Sequence, residues 1–299
     1  MNTYSIQSGI CFLFVLQLGH QCFASETWAE QKWRRYLQSM PGQISGLALI
    51  KQDAAGSTFL IAHDNKFANE ARLAVMTVHG DKLGYDPISW PDAEALPSDI
   101  EAGREVPGNG EDDFLVMTSG GGVTHITVDA SNFTMKINSR FTLPGRRSGD
   151  NLEGLALHHT GKDLFVAWAH RGNSQDPGMI YWGIIDLATQ TVDQQGSHPF
   201  RVTWPERPSV RHIADMVIDT NGVLYVSSTS DPGNDGPFGS AIYKAGAFTL
   251  KEGGAQFEQD ISSLYRTESH KIEGFDRVGN GFALATDDEN MGSSFLLLP

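Results

Sequence analysis

The 299-residue chain has only two cysteines, Cys11 and Cys22, both near its start. A disulfide framework is therefore excluded for everything that follows, and a hydrophobic core must hold the fold together. Charge is scarce, with 19% Asp, Glu, Lys and Arg against about 25% in a typical globular domain. Positive charge is scarcer: 22 Lys and Arg stand against 36 Asp and Glu, a formal net charge of −14. That balance excludes nucleic acid and anionic membranes as electrostatic partners, since both would repel the chain. No apolar run reaches the roughly 20 residues that span a bilayer. The sequence also lacks a G-x-S-x-G elbow, an H-E-x-x-H metal helix and a Walker lysine pattern, which removes several common hydrolase and nucleotide-binding chemistries.

What is abundant is glycine, 32 residues of 299, or roughly 11% where about 7% is usual. Hydrophobic residues make up 40%, which excludes disorder. Glycine-rich, charge-poor composition favours many turns and short strands over long solvated helices. The apolar run Ile10–Leu18, followed by Cys22-Phe23-Ala24 and then the polar Ser25-Glu26, has the form of a secretory signal ending on a small residue. The predicted organisation is a signal peptide over 1–24 and one domain over 25–299, placed in the periplasm or outside the cell with no further membrane span. Met1–Gly9 carries no Lys or Arg, so a buried N-terminal strand is the alternative reading of this segment.

The body of the chain repeats. Ile44-Ser45-Gly46-Leu47, Ile100-Glu101-Ala102-Gly103, Leu152-Glu153-Gly154-Leu155, Ile213-Ala214-Asp215-Met216 and Ile272-Glu273-Gly274-Phe275 begin 56, 52, 61 and 59 residues apart. Each is followed by a second apolar run, such as Leu164–Ala167, and by a third, such as Met179–Ile185. Turn residues such as Gly161-Lys162 and Asn221-Gly222 separate them, as in β-hairpins. A fourth, proline-ended element precedes most copies: Ile88–Pro91, Phe141–Pro144 and Val202–Pro205, with Ile261–Leu264 less clear. Units of four strands at this period predict an all-β fold, a five-bladed β-propeller with four antiparallel strands per blade. The last unit stops after its third strand, so Tyr36–Met40 is predicted to supply the fourth and close the ring. Trp33, Tyr36, Leu37 and Met40 also fit one face of a helix, and six blades is the alternative ring.

Propeller geometry collects residues some 50 positions apart. The start of each inner strand and the end of each second strand point to one channel mouth. The inner-strand starts carry Ser45, Glu101, Glu153, Asp215 and Glu273, and the second-strand ends include Asp64, His170-Arg171, Asp231 and Asp287. Three glutamates near a common axis need raised pKa values or a compensating cation. Oxygen-only ligands suit Ca²⁺, so Glu101, Glu153, Glu273, Asp64 and Asp287 are the candidate metal ligands. Structural bracing of backbone N–H groups and a proton-sharing acid cluster remain open alternatives. His170, His212 and His270 are the candidate catalytic proton carriers at the same mouth, with solvated loop histidines as the plainer reading. Asp231–Gly236 resembles a calcium loop but lacks the ligand pattern of an EF-hand. The tryptophans are read as blade packing.

The stretch Phe141-Thr-Leu-Pro, Asp150-Asn-Leu-Glu-Gly-Leu-Ala-Leu and Gly161-Lys-Asp-Leu-Phe-Val-Ala resembles the esterase-like phytase domain of secreted bacterial proteins. Ile44-Ser-Gly-Leu, Ala62-His-Asp64, Asp99-Ile-Glu101 and Lys271-Ile-Glu-Gly also look like its repeated elements. The resemblance implies a secreted propeller hydrolysing small esters or phosphoesters with possible metal dependence, and it places Glu101, Glu153 and Glu273 on the repeated acidic position. The expected partner is a small-molecule ester, phosphoester or other ligand at the mouth. A non-catalytic binding scaffold holding a structural ion is the competing expectation, and a glycan-cleaving propeller a third.

Overall fold

The computed structural model describes residues 32–91, 95–109, 112–145, 147–206, 208–251 and 253–299. The segment 1–24, expected to be a signal peptide, and Trp28 lie outside the described residues. From Lys32 to Pro299 the chain is one compact unit. Strand β1 is Arg34–Arg35. Blade one is β2–β5 (Gly46–Asp53, Gly56–Ala62, Leu73–His79, Lys82–Ile88) and blade two is β6–β9 (Ile100–Glu105, Asp113–Thr118, Gly122–Asp129, Thr134–Thr142). Blade three is β10–β13 (Leu152–Thr160, Asp163–His170, Gly178–Asp186, Thr191–Phe200). Blade four is β14–β17 (Val210–Ile218, Val223–Ser230, Gly239–Lys251, Gly254–Thr267), and blade five holds β18–β20 (Ile272–Val278, Gly281–Thr286, Ser294–Leu298). Each blade is a four-stranded antiparallel meander, and β1 completes the fifth against β20. The fold is a five-bladed β-propeller.

Ring closure by an N-terminal strand holds, but at Arg34–Arg35, which pair with Phe295 and Ser294, rather than at Tyr36–Met40. Tyr36 and Leu37 extend that contact through backbone bonds to Ser293, and Met40–Gly42 forms a 3₁₀ turn. The proline-ended segments are also displaced. Outer strands β5, β9 and β13 end at Ile88, Thr142 and Phe200, so Pro91, Pro144 and Pro205 lie just beyond them. The reason is solvation. An outer strand touches the rest of the propeller on one edge only and alternates exposed with half-buried residues throughout, as Thr134–Thr142 does. A search for apolar runs therefore catches only its last residues.

Five apolar clusters fill the five seams between blades. Trp168 and Tyr181 stack in the seam between blades two and three, and Phe165, Trp182, Phe248 and Phe257 pack in the next. Each such side chain contributes about 1.5–3 kcal/mol by leaving water. Trp168 and Trp182 are buried, and Trp33, Trp90 and Trp204 are half-buried, so packing is their role.

At the axis the inner strands press against one another. A Cβ on Gly46 would stand 2.9 Å from the backbone N of Gly103, and one on Gly274 would stand 3.1 Å from the carbonyl carbon of Gly46. This close approach explains the small residue in each repeat. Across it runs Arg104, almost wholly buried. Its guanidinium donates to the carbonyls of Leu47 (2.6 Å) in blade one, Gly103 (2.6 Å) in blade two and Met216 (2.7 and 3.0 Å) in blade four. It also pairs with Asp215 at 2.6 Å, and Asp215 in turn accepts from the backbone N–H of Phe275 in blade five. One ion pair thus ties four inner strands together inside the channel. Breaking a buried pair leaves an uncompensated charge. Arg104→Met is expected to lower stability in urea unfolding by about 3–5 kcal/mol, and adding Asp215→Asn to return part of that loss.

Candidate functional site

Equivalent backbone bonds define equivalent positions. Ser119 N donates to Asp99 O, Arg171 N to Asn151 O, Asp231 N to Ser209 O and Asp287 N to Lys271 O. Two residues on from each acceptor stand Glu101, Glu153, Arg211 and Glu273. The fourth copy of the glutamate is therefore Arg211, and the expectation of Asp215 at the mouth is corrected. In blades two, three and five the acidic residue is the single extra residue of a bulge between Ile100/Ala102, Leu152/Gly154 and Ile272/Gly274. In blade four the register instead shifts between Arg211, opposite Thr229, and Asp215, opposite Ser227. The longer bulge carries Asp215 down the channel to Arg104 and puts a cation in the ring of glutamates.

Arg211 donates to Glu273 (2.8 Å) and Glu153 (3.2 Å) and pairs closely with Asp231. Arg171 reaches the same Glu153 Oε1 at 2.8 Å. Glu153 is 2% exposed, and its Oε2 has no partner. Burial raises its pKa, while Arg211 and Arg171 oppose the rise. Lys271, equally buried, donates to Asp287 (2.8 Å) and Glu289 and lies 3.5 Å from Glu273 and 3.6 Å from Asp231. Burial works against its charge, but Glu273 and Asp287 outweigh burial and hold it well above the usual lysine range. Asp287 is itself raised by burial against the pull of Lys271. Burial also works against ionised Asp231, yet Arg211 and Lys271 keep it below its ordinary value.

Glu101 is the exception. It makes no hydrogen bond or ion pair among the described residues. Burial pushes its carboxyl well above the usual range, and Glu153, Glu273, Asp99 and Asp64 push in the same direction. Asp64 is raised too, by burial and then by Glu273, with Lys66 3.9 Å away. Lys66 is held closer by Asp99, at 2.9 Å. Asp99 (φ 66°) and Glu289 (φ 51°), both at this mouth, have left-handed backbone, a strained conformation that persists where the surroundings impose it. Among the described residues, eight carboxyls (Asp64, Asp99, Glu101, Glu153, Asp231, Glu273, Asp287, Glu289) face four cations (Lys66, Arg171, Arg211, Lys271) here.

The structure thus brings Glu101, Glu153, Glu273, Asp64 and Asp287 to one mouth. Much of the compensation comes from Arg211 and Lys271, and no three His, Cys, Asp or Glu side chains among the described residues are grouped to hold a metal ion. The histidines are placed otherwise. His170 Nδ1 is engaged by the backbone of Asn151 (2.9 Å) beside Asp150. His212 accepts from Val202 N (3.3 Å), and burial with Arg201 nearby lowers its pKa. His270 pairs with Asp288 (2.7 Å) and packs at a tilt against Trp33. None of the three contacts Glu101, Glu153 or Glu273. Arg211 and Lys271 were missed because repeat matching sought apolar and acidic residues. The backbone bonds from the second-strand ends locate them: Arg211 stands two residues after the acceptor Ser209, and Lys271 is itself the acceptor in blade five.

No protein-family model and no curated protein sequence matches the chain. Among solved structures it is similar to a GH43 endo-arabinanase from Bacillus licheniformis, at 12% identity over 88% of this chain and 96% of that one, TM-score 0.50. It is also similar to the native Bacillus subtilis arabinanase Arb43A, at 14% identity over 90% and 95%, TM-score 0.49. A candidate 6-phosphogluconolactonase from Bacteroides uniformis matches at 13% identity over 79% and 63%, TM-score 0.38. These neighbours are hydrolase-like, and at such identities the likeness is one of fold. The resemblance to the esterase-like phytase domain rests on the quoted residues alone. No helix of the described residues is long and apolar enough to cross a membrane.

His63, at the end of blade one's second strand, is fully buried, bonded through Nδ1 to Gln43 O, with Tyr85 Oη 3.2 Å from Nε2. Burial lowers its pKa from 6.5 to about 4. The unfolded chain therefore binds a proton that the folded chain refuses. The stabilisation is complete above pH 6.5 and lost as pH falls from 6.5 towards 4, on the order of 3 kcal/mol. Urea midpoints across that interval should fall more steeply for the parent than for His63→Gln.

Proposed function

We propose that the mouth is a hydrolytic site working by carboxyl acid–base chemistry on a small ester or glycosidic acetal. The observation that carries this reading is the contrast between two neighbouring carboxyls. Glu101 has no partner and a raised pKa, which suits a proton-bearing acid. Burial raises Glu153 as well, but two arginines hold its Oε1 and favour its ionised form, and its buried Oε2 has no partner and accepts the proton. Pairs of carboxyls pushed into different protonation states are how acid and base roles are divided. Glu153 Oε2 takes a proton from water, the resulting hydroxide oxygen bonds to the acyl or acetal carbon, and the bond to the leaving oxygen breaks. Glu101 gives its proton to that oxygen, which departs as an alcohol. Arg171 and Arg211 orient Glu153. Glu273 and Lys271 hold the wall. The hydrolase-like neighbours in the arabinanase fold are compatible with this chemistry.

The carboxyl excess opposes anionic substrates. Neutral aryl esters and aryl glycosides are therefore expected to be turned over and aryl phosphates not. Glu101→Gln and Glu153→Gln should each reduce turnover by about 10²–10⁴. The pH profile should be bell-shaped, falling at low pH as the pair takes up its second proton and at high pH as it loses its last. Both limbs belong to the pair and lie above the ordinary glutamate range. Full turnover of every accepted substrate by Glu101→Gln would overturn the reading.

A second reading is favoured by the absence of a close cation at Glu101: this carboxyl and Asp64 and Glu153, which do not form a metal-binding group in this arrangement, are drawn together by calcium, and the ion admits phosphoesters. Here the melting temperature should rise between chelator and millimolar calcium, by an amount corresponding to about 2.7 kcal/mol at a hundredfold excess over Kd. The rise should vanish in Glu101→Gln, and aryl phosphate turnover should require the ion. Turnover of neutral substrates that persists in chelator, with no melting shift, decides for acid–base chemistry without the ion.

A further inference from the structure

The mouth holds one carboxyl without a paired cation, Glu101, and one cation with donors to spare, Arg171. Lys271 faces four carboxyls there, Arg211 three and Lys66 two, whereas Arg171 pairs with Glu153 alone, through Nη1 at 2.8 Å. A guanidinium carries five N–H donors in one plane. Nε and Nη2 of Arg171 donate to nothing among the described residues. Its side chain is 32% exposed, against 19% for Arg211 and 1% for Lys271. Its backbone is pinned on both sides, since Arg171 N donates to Asn151 O (3.0 Å) and Arg171 O accepts from Ile213 N (3.1 Å). The charge of Arg171 is also felt in blade two. Burial works against ionised Asp99, but bonds from Ser119 and Lys66, with the charges of Lys66 and Arg171, hold it below its ordinary value.

The charge that develops during reaction decides what these spare donors serve. Hydrolysis of an ester gathers negative charge on the carbonyl oxygen, which preorganised donors stabilise. Hydrolysis of a glycosidic acetal passes through an oxocarbenium-like state that gathers positive charge, and a guanidinium beside the base opposes it. Arg171 therefore separates two substrate classes that Glu101 and Glu153 would otherwise serve alike.

We propose that Arg171 is a catalytic residue that donates through Nε and Nη2 to the carbonyl oxygen of an ester, so that the mouth favours esters over glycosides. This rests on Glu101 and Glu153 being the reacting pair. Glu153 Oε2 takes a proton from water, the water oxygen bonds to the acyl carbon, and the carbonyl π pair moves onto oxygen, where Arg171 holds it. The pair returns as the bond to the leaving oxygen breaks, and Glu101 gives that oxygen its proton. Proton transfer from Glu153 to Glu101 through water restores the starting state.

The test compares nitrophenyl acetate with a nitrophenyl glycoside, and follows phenylboronic acid on the protein by boron NMR. Arg171→Met is expected to lower kcat for the ester by about 10²-fold with little change in KM. Arg211 still holds Glu153 in this variant, so turnover of the glycoside should not fall. Arg171→Lys, which keeps the charge but not the planar fork, should retain part of the ester rate. Phenylboronic acid is neutral and trigonal in water and becomes a tetrahedral anion on taking up hydroxide, as the ester carbon does. The parent protein should bind it saturably in the tetrahedral form at neutral pH, and Arg171→Met should weaken that binding by about tenfold or more. An equal loss on ester and glycoside would reduce Arg171 to a positioning group for Glu153 and overturn the proposal. An ester rate unchanged in Arg171→Met, or boron that stays trigonal, would overturn it too. The boron titration needs no turnover, which separates the two failures. A protein that hydrolyses neither substrate but binds tetrahedral boron through Arg171 loses the acid–base reading and keeps the oxyanion donor. One that hydrolyses both substrates as well in Arg171→Met as in the parent loses only the oxyanion donor.

Discussion

Everything in this propeller depends on how closely five inner strands can approach one axis. The approach is so tight that Gly46 and Gly274 have no room for a side chain, yet each inner strand arrives with backbone carbonyls and amides that the ring cannot pair by sheet bonds alone. Arg104 satisfies several at once, and Asp215 satisfies the guanidinium and two further amides, of Met216 and Phe275. Buried polar groups without partners are costly. A single arginine reaching carbonyls of three blades turns a crowded, polar axis into a cross-brace.

The same crowding shapes the chemistry of the mouth. The carboxyls of the bulged inner-strand starts are desolvated by burial. Desolvation raises carboxyl pKa values, nearby cations lower them, and the outcome differs residue by residue. Glu153 pairs with two arginines, Asp231 pairs with Arg211 and lies near Lys271, and Glu101 pairs with no cation among the described residues. One repeat motif therefore yields carboxyls in different states. The asymmetry comes from blade four, where a longer bulge exchanges a glutamate position for Arg211 and sends Asp215 inward. A five-fold acidic ring would repel itself. This ring has an arginine in its fourth place.

Much of the architecture was legible along the chain because a blade is a local object. Hairpin turns such as Gly161-Lys162, the apolar second and third strands, and the 50–60-residue period follow from neighbours in sequence, as did the need for an N-terminal strand to complete blade five. The outer strands were less legible, since a strand wet along one edge has little reason to be apolar. The identity of the acidic cluster was readable from the Ile-Glu-Gly and Leu-Glu-Gly repeats. The position of Arg211 was not, because a bulge of different length leaves no mark in composition. The surroundings of the histidines were hidden for a related reason. His170, His212 and His270 sit near the correct ends of strands, but each is turned to the backbone or to an adjacent acidic or basic side chain.

The number of blades, the antiparallel pairing within them, the small residue at each inner-strand start and the convergence of Glu101, Glu153 and Glu273 are written along the chain, because all of these follow from local pairing and a repeated period. Only the closed ring brings Arg104 to Asp215, and sets Arg211 and Lys271 against some carboxyls while leaving Glu101 without a paired cation. Those outcomes depend on distances between residues brought together from different blades, and burial and Coulomb interactions across a closed ring exist only once the ring is closed.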